Sequence, residues 1–132
     1  MAALDTNILV RWLVGDDAKQ LDQAEKLFRA AEARNEALFV PVTVALELEW
    51  VLRSVYGFDR NAIQGAFNAL LECTTIEFQL EASLERALHQ YRDATADFAD
   101  CLHTGLSSAA SRGPLLTFDA RAARLTGAAL LA

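Results

Sequence analysis

The chain has 132 residues, 53% of them hydrophobic, and its 18 acidic and 12 basic residues give a net charge of −6. This length and composition predict one folded domain over residues 1–132, and exclude a disordered tail or a bilayer-spanning helix. The charge excludes a passive nucleic-acid binder working through a basic face, yet accommodates an acidic site neutralised by divalent cations.

Residues 2–4 read as a short strand, and Asp5-Thr6-Asn7 turns the chain into a helix carrying Ile8, Leu9, Trp12 and Leu13. Asp5 interrupts the apolar stretch at the N-terminus, so no secretory leader is expected and a cytoplasmic location is. Gly15-Asp16-Asp17 breaks that helix. Over 18–34, Leu21, Ala24, Leu27, Phe28 and Ala31 recur at helical spacing. Residues 37–40 form a second strand ended by Pro41, and Thr43 is the expected N-cap of a helix that runs to Tyr56 and stops at Gly57. Asp59 caps a further helix through Leu71, and residues 74–78 read as a third strand. Residues 84–91 are helical, and another helix begins near Asp97 and ends before Arg112-Gly113-Pro114. A strand over 115–118, a short helix over 121–125 and an edge strand over 128–131 complete the chain. Such alternation predicts an α/β fold with a mostly parallel sheet flanked by helices. Cys73 and Cys101 lie far apart in no metal-ligand pattern and are expected as buried free thiols.

Five acids occupy unusual places. Asp5 and Asp119 each follow a strand directly, at the end where ligands gather in open α/β folds. In the helix from Thr43, the residues Val44, Leu48, Val51, Leu52 and Val55 are expected to form the buried stripe. Glu47 falls on that stripe, whereas Glu49 is expected to face solvent. An ionised carboxylate on an apolar face needs compensation, by a salt bridge or a metal ion. Asp97 and Asp100 share one face of a helix at its first turn, where capping accounts for one aspartate better than for two.

These residues resemble the PIN-domain ribonucleases, and among them the VapC-type toxins of bacterial toxin–antitoxin pairs. The resemblance rests on Leu4-Asp5-Thr6-Asn7-Ile8-Leu9, Glu47-Leu48-Glu49-Trp50-Val51-Leu52-Arg53, Asp97-Phe98-Ala99-Asp100-Cys101-Leu102 and Leu116-Thr117-Phe118-Asp119, in that order. It implies a PIN-like three-layer sandwich and a metal site of Asp5, Glu47, Asp100 and Asp119. Asp97 is an additional acidic neighbour and an alternative third ligand; the spacing to the following apolar helix favours Asp100. Thr6, Asn7 and Thr117 would hold those acids and the phosphate oxygens in place. One departure is the run Cys101-Leu102-His103-Thr104-Gly105, where the family usually carries an isoleucine and alanines; it bears on packing more than on ligation.

Carboxylate oxygens without histidine or thiolate suit Mg²⁺ or Mn²⁺ and not zinc. The resemblance implies hydrolysis of RNA to a 3′-hydroxyl and a 5′-phosphate, a VapB-type antitoxin that blocks the site, and a homodimer. Arg11, Arg53, Arg112 and Arg121 are candidates to meet the RNA backbone, and His103, one turn after Asp100, is a candidate to reach substrate. His89 reads as an ordinary helix residue. A haloacid-dehalogenase-like phosphatase also starts with an aspartate after a strand, but that chemistry needs a second aspartate where Asn7 stands. It also needs a late phosphate-binding lysine, whereas the only lysines are Lys19 and Lys26. A catalytically inactive PIN-like binding module is the other rival, and the presence of all four acids counts against it.

Overall fold

The computed structural model describes residues 2–131. The chain divides into two compact units, residues 1–79 and 80–132. The first contains β1 (Ala2–Ala3), α1 (Thr6–Val14), α2 (Ala18–Ala33), β2 (Leu38–Val40), α3 (Val42–Ser54), α4 (Arg60–Glu72) and β3 (Ile76–Phe78). The second contains α5 (Glu81–Asp93), α6 (Phe98–Ala109), β4 (Leu115–Thr117), a 3₁₀ turn (Ala122–Arg124) and β5 (Ala128–Leu130). Every strand pair is parallel, as the strand–helix alternation requires. Pairing falls into two sheets, ordered β1-β2-β3 and β4-β5.

Local side-chain caps start α1, α2 and α4. Asp17 and Asp59 sit in extended backbone and accept from the N–H of Gln20 (3.0 Å) and Ala62 (2.8 Å), which satisfies donors that the helix leaves orphaned. Gly15 closes α1 in the left-handed region at φ 68°, a conformation that costs glycine little. In the first unit Leu9, Val40, Leu48, Leu52, Ile63, Phe67 and Leu70 are fully buried, and Trp12 packs on Phe28 with ring centroids 5.0 Å apart. In the second, Leu84, Ala87, Tyr91, Phe98 and Cys101 form the core, with Tyr91 edge-on to Phe98 at 5.2 Å. A Cβ at Gly105 would lie 3.1 Å from the Ser83 carbonyl oxygen, so the missing side chain lets α6 approach the backbone of α5.

Several expectations are corrected. Thr43 is exposed and is not the cap of α3; Pro41 occupies that position, and the first free N–H, of Val42, donates to Gln79 Oε1 at 2.9 Å. The α3 helix ends at Ser54 and buries Ala45, Leu48, Glu49 and Leu52. Its inward face is therefore rotated from the expected stripe: Val55 and Glu47 are exposed and Glu49 is buried. Burial of Glu49 is tolerated because Arg53, one turn on and half in solvent, donates to it at 2.9 Å. A hydrogen bond to a charged group of this kind contributes about 1.5–3 kcal/mol. α5 is longer than expected by about one turn, the segment after Asp119 is 3₁₀ rather than α, and β4 stops at Thr117, leaving Phe118 81% exposed. Cys101 is buried and free as expected, whereas the free thiol of Cys73 is only half-buried.

Candidate active site

In the first unit the site begins where β1 gives way to α1. Asp5 is the N-cap of α1, in extended backbone, and its Oδ1 accepts from the N–H of Thr6 at 2.8 Å. Asp5 itself is exposed. Thr6 is buried, and its hydroxyl donates to Glu47 Oε1 from α3. Two elements far apart in sequence are thereby tied at their functional residues. Asp5, Thr6, Asn7, Arg11, Glu47 and Tyr56 line a common pocket of about 310 Å³.

Arg11 is held at this pocket by a network that nothing in the sequence announces. Its Nη1 donates to Tyr56 Oη at 3.0 Å and to Asp16 Oδ1 at 3.2 Å, its Nε donates to Gln20 at 2.6 Å, and the Tyr56 hydroxyl donates to Asp16 at 2.8 Å. The hydrogen bond with Tyr56 and the adjacent charges raise the Arg11 pKa and hold Asp16 below the ordinary carboxylate range. Of the arginines expected to meet a polyanion, Arg11 and Arg53 are thus already engaged by protein groups.

The second unit holds the other acids. Asp97 is the N-cap residue of α6, but its carboxylate makes no capping bond, so capping does not account for it. Asp100 lies in the first turn, partly buried. Burial, and then the charges of Asp119 and Asp97, push its carboxyl above the ordinary range, with His103 pulling the other way. Asp119 is held in the loop after β4: its N–H donates to Thr117 Oγ1 at 3.0 Å, and its Oδ1 accepts from the N–H of Arg121 (2.7 Å) and Ala122 (3.0 Å). Those backbone donors keep its pKa low. Among the described residues no three His, Cys, Asp or Glu side chains form a ready metal cage. The acids stand as Asp5 with Glu47 in one unit and Asp97, Asp100 and Asp119 in the other. The donors are all hard oxygens, and those of the second unit repel one another, which is the environment a divalent cation stabilises.

The PIN domain family model matches residues 2–128. The chain belongs to the PIN domain family. It is also 29% identical, over 102 residues, to the VapC ribonuclease of Aquifex aeolicus, covering 77% of this chain and 75% of that protein. The family match runs through all the acidic positions, from Asp5 to Asp119, and the parallel α/β architecture with flanking helices is that of a PIN domain. Sequence reasoning named these acids together with Thr6 and Thr117, whose hydroxyls bond to Glu47 and to the N–H of Asp119. It missed Tyr56 and Asp16, which are joined to Arg11 only through the fold.

The raised pKa of Asp100 has a measurable consequence. The folded chain holds this proton to higher pH than an unfolded chain does, so stability falls as pH rises through that window, and the ionised carboxylate costs stability above it. Asp100→Asn is therefore expected to raise Tm at pH 7.5 in EDTA, and the gain should vanish near pH 3, where Asp100 of the parent is largely protonated in the folded and the unfolded chain alike. Calorimetry across that range checks it; a variant less stable than the parent at pH 7.5 contradicts the crowding of charge. Asp119 has the opposite sign, since its stabilising contribution is present above the ordinary carboxylate pKa and is lost as pH falls through its depressed value.

Proposed function

We propose that the chain, taken as a single PIN domain over residues 1–132, is a divalent-metal-dependent endoribonuclease of the VapC toxin type. The observation that carries this reading is that a threonine hydroxyl positions the acids in each unit, Thr6 on Glu47 and Thr117 on the backbone of Asp119. Rigid support of this kind is what catalysis by carboxylates demands. The family match and the similarity to a VapC ribonuclease support the same assignment.

Asp5, Asp100 and Asp119 would hold Mg²⁺ or Mn²⁺, with Glu47 as a further ligand or as the group that orients the attacking water. When bound, the cation would supply charge stabilisation at the scissile phosphate and lower the pKa of water. The chain's own groups do the rest. Thr6 fixes Glu47, the N–H groups of Arg121 and Ala122 fix Asp119, Asn7 faces the phosphate oxygens, and Asp97 keeps the local potential negative enough to favour a cation. Hydrolysis would leave a 3′-hydroxyl and a 5′-phosphate. A VapB-type antitoxin would silence the site, and the working form would be a cytoplasmic homodimer. Among the described residues no helix is long and apolar enough to cross a membrane.

The test is incubation of the purified chain with single-stranded RNA and Mn²⁺, with the ends of the products sequenced. Cleavage is expected, to be abolished by EDTA and restored by excess Mn²⁺. A chain that binds RNA but cleaves none of a transcript pool containing transfer, ribosomal and messenger RNA is instead an inactive PIN-like binding module.

A further inference from the structure

We infer that a pocket in the second unit, lined by His89, Asp93, Thr95, Arg121, Arg124 and Thr126, binds a backbone phosphate of the RNA strand next to the one that is cut. This rests on the ribonuclease reading and adds a substrate subsite to it. The pocket measures about 450 Å³, within the range of ligand sites, and its walls mix charged and polar side chains with the apolar Ala94 and Leu125. Gln90 Nε2 donates to the Thr126 carbonyl at 3.4 Å and joins the two sides of the wall.

Charge is what sets this pocket apart. The chain as a whole carries −6, yet two guanidinium groups and a single carboxylate, Asp93, line this pocket, and Arg121 also attracts the Asp119 carboxylate outside it. Asp93 is itself paired with Arg92 at 3.5 Å, and Arg92 also approaches His89 Nδ1 at 3.5 Å. Among the described residues neither Arg121 nor Arg124 uses its side chain in a salt bridge or hydrogen bond, unlike Arg11, Arg53 and Arg92. Two arginine forks that make no salt bridge at this cavity match the paired non-bridging oxygens of a phosphodiester. The link to the chemistry is local: Arg121 lies two residues after Asp119 and its N–H donates to that carboxylate, so the acid and the pocket are built from one turn of chain. A strand engaged at Asp119 would pass the arginines, and its cost in counterions would be met there despite the acidic surface.

The test uses the full chain carrying Asp5→Asn, so that binding is read without cleavage, and a fluorescein-labelled single-stranded 12-nucleotide RNA followed by anisotropy at several salt concentrations. Arg124→Gln is expected to weaken binding several-fold and to flatten the slope of log K against log salt by about 0.7, the loss of one phosphate contact on a single strand. Arg29→Gln, on the exposed face of α2, is the charge-matched control and should leave the slope unchanged. In the chain with Asp5 intact, Arg124→Gln should raise KM on the 12-nucleotide RNA with kcat preserved, and leave turnover of a dinucleotide as it was. An unchanged salt slope, or a slope change equal to that of the Arg29 control, overturns the pocket. If the intact chain cleaves nothing, the ribonuclease reading falls separately. The anisotropy arm still decides whether the pocket meets RNA.

Discussion

Asp5→Asn is expected to reduce Mn²⁺-dependent RNA cleavage by roughly a thousandfold, the loss of several kcal/mol of stabilisation at the reacting phosphate. The substitution isolates chemistry from folding. Asp5 caps α1 by accepting the N–H of Thr6, and asparagine caps as well as aspartate does. The side chain is also exposed, so no buried group loses a partner. Tm in EDTA should therefore stay close to that of the parent chain, while the rise in Tm produced by Mn²⁺ should shrink sharply. Single-turnover cleavage and a thermal melt with and without Mn²⁺ measure both. A variant that loses its fold, or keeps its activity, removes Asp5 from the centre of the mechanism.

Thr6→Val should cost about 10- to 100-fold in activity, the usual effect of removing a group that orients an acidic ligand. Valine keeps the volume and branching of the buried threonine but cannot donate to Glu47, which then relies on water for its orientation. Glu47 is exposed, so it pays no desolvation penalty for the lost bond and stability should change little. Thr6→Ser restores the hydroxyl and should recover most of the activity. The comparison of kcat and Mn²⁺ affinity across the three chains separates a positioning role from packing. If valine and threonine perform alike, the hydroxyl only fills space.

Much of this architecture is legible in the sequence where the signals are local. Asp59 announces a helix start because a short carboxylate can reach N–H groups within three residues; the structure uses it that way, and uses Asp5 and Asp17 likewise. Asp119 is found for a similar reason, between a strand and a turn whose N–H groups it accepts. The reading goes wrong on α3, where valines outvote smaller residues. Leu48 and Leu52 of the expected stripe are buried, but Ala45 and Glu49 complete the packed face in place of Val44, Val51 and Val55. Glu49 lies inward because Arg53 lies one turn away to pair with it, and no hydropathy pattern contains that choice. The rotation makes Glu47 a better candidate than the sequence allowed, since an exposed carboxylate gripped by a buried threonine can reach a ligand. Interactions between residues distant in the chain, such as Arg11 with Tyr56 and Val42 with Gln79, leave no local trace at all.

The bare backbone of Gly105 offers a way to weaken such a protein without editing its chemistry. Asp100 rides on the same helix, a little over one turn upstream, and the Ser83 carbonyl stands where any side chain at 105 must go. A methyl group there would force α6 outward by a few tenths of an ångström and carry the carboxylate with it. Position 105 is thus a dial rather than a switch. Alanine, serine and valine there would grade the placement of Asp100 in steps, a route to a set of attenuated chains in which every acid is still present.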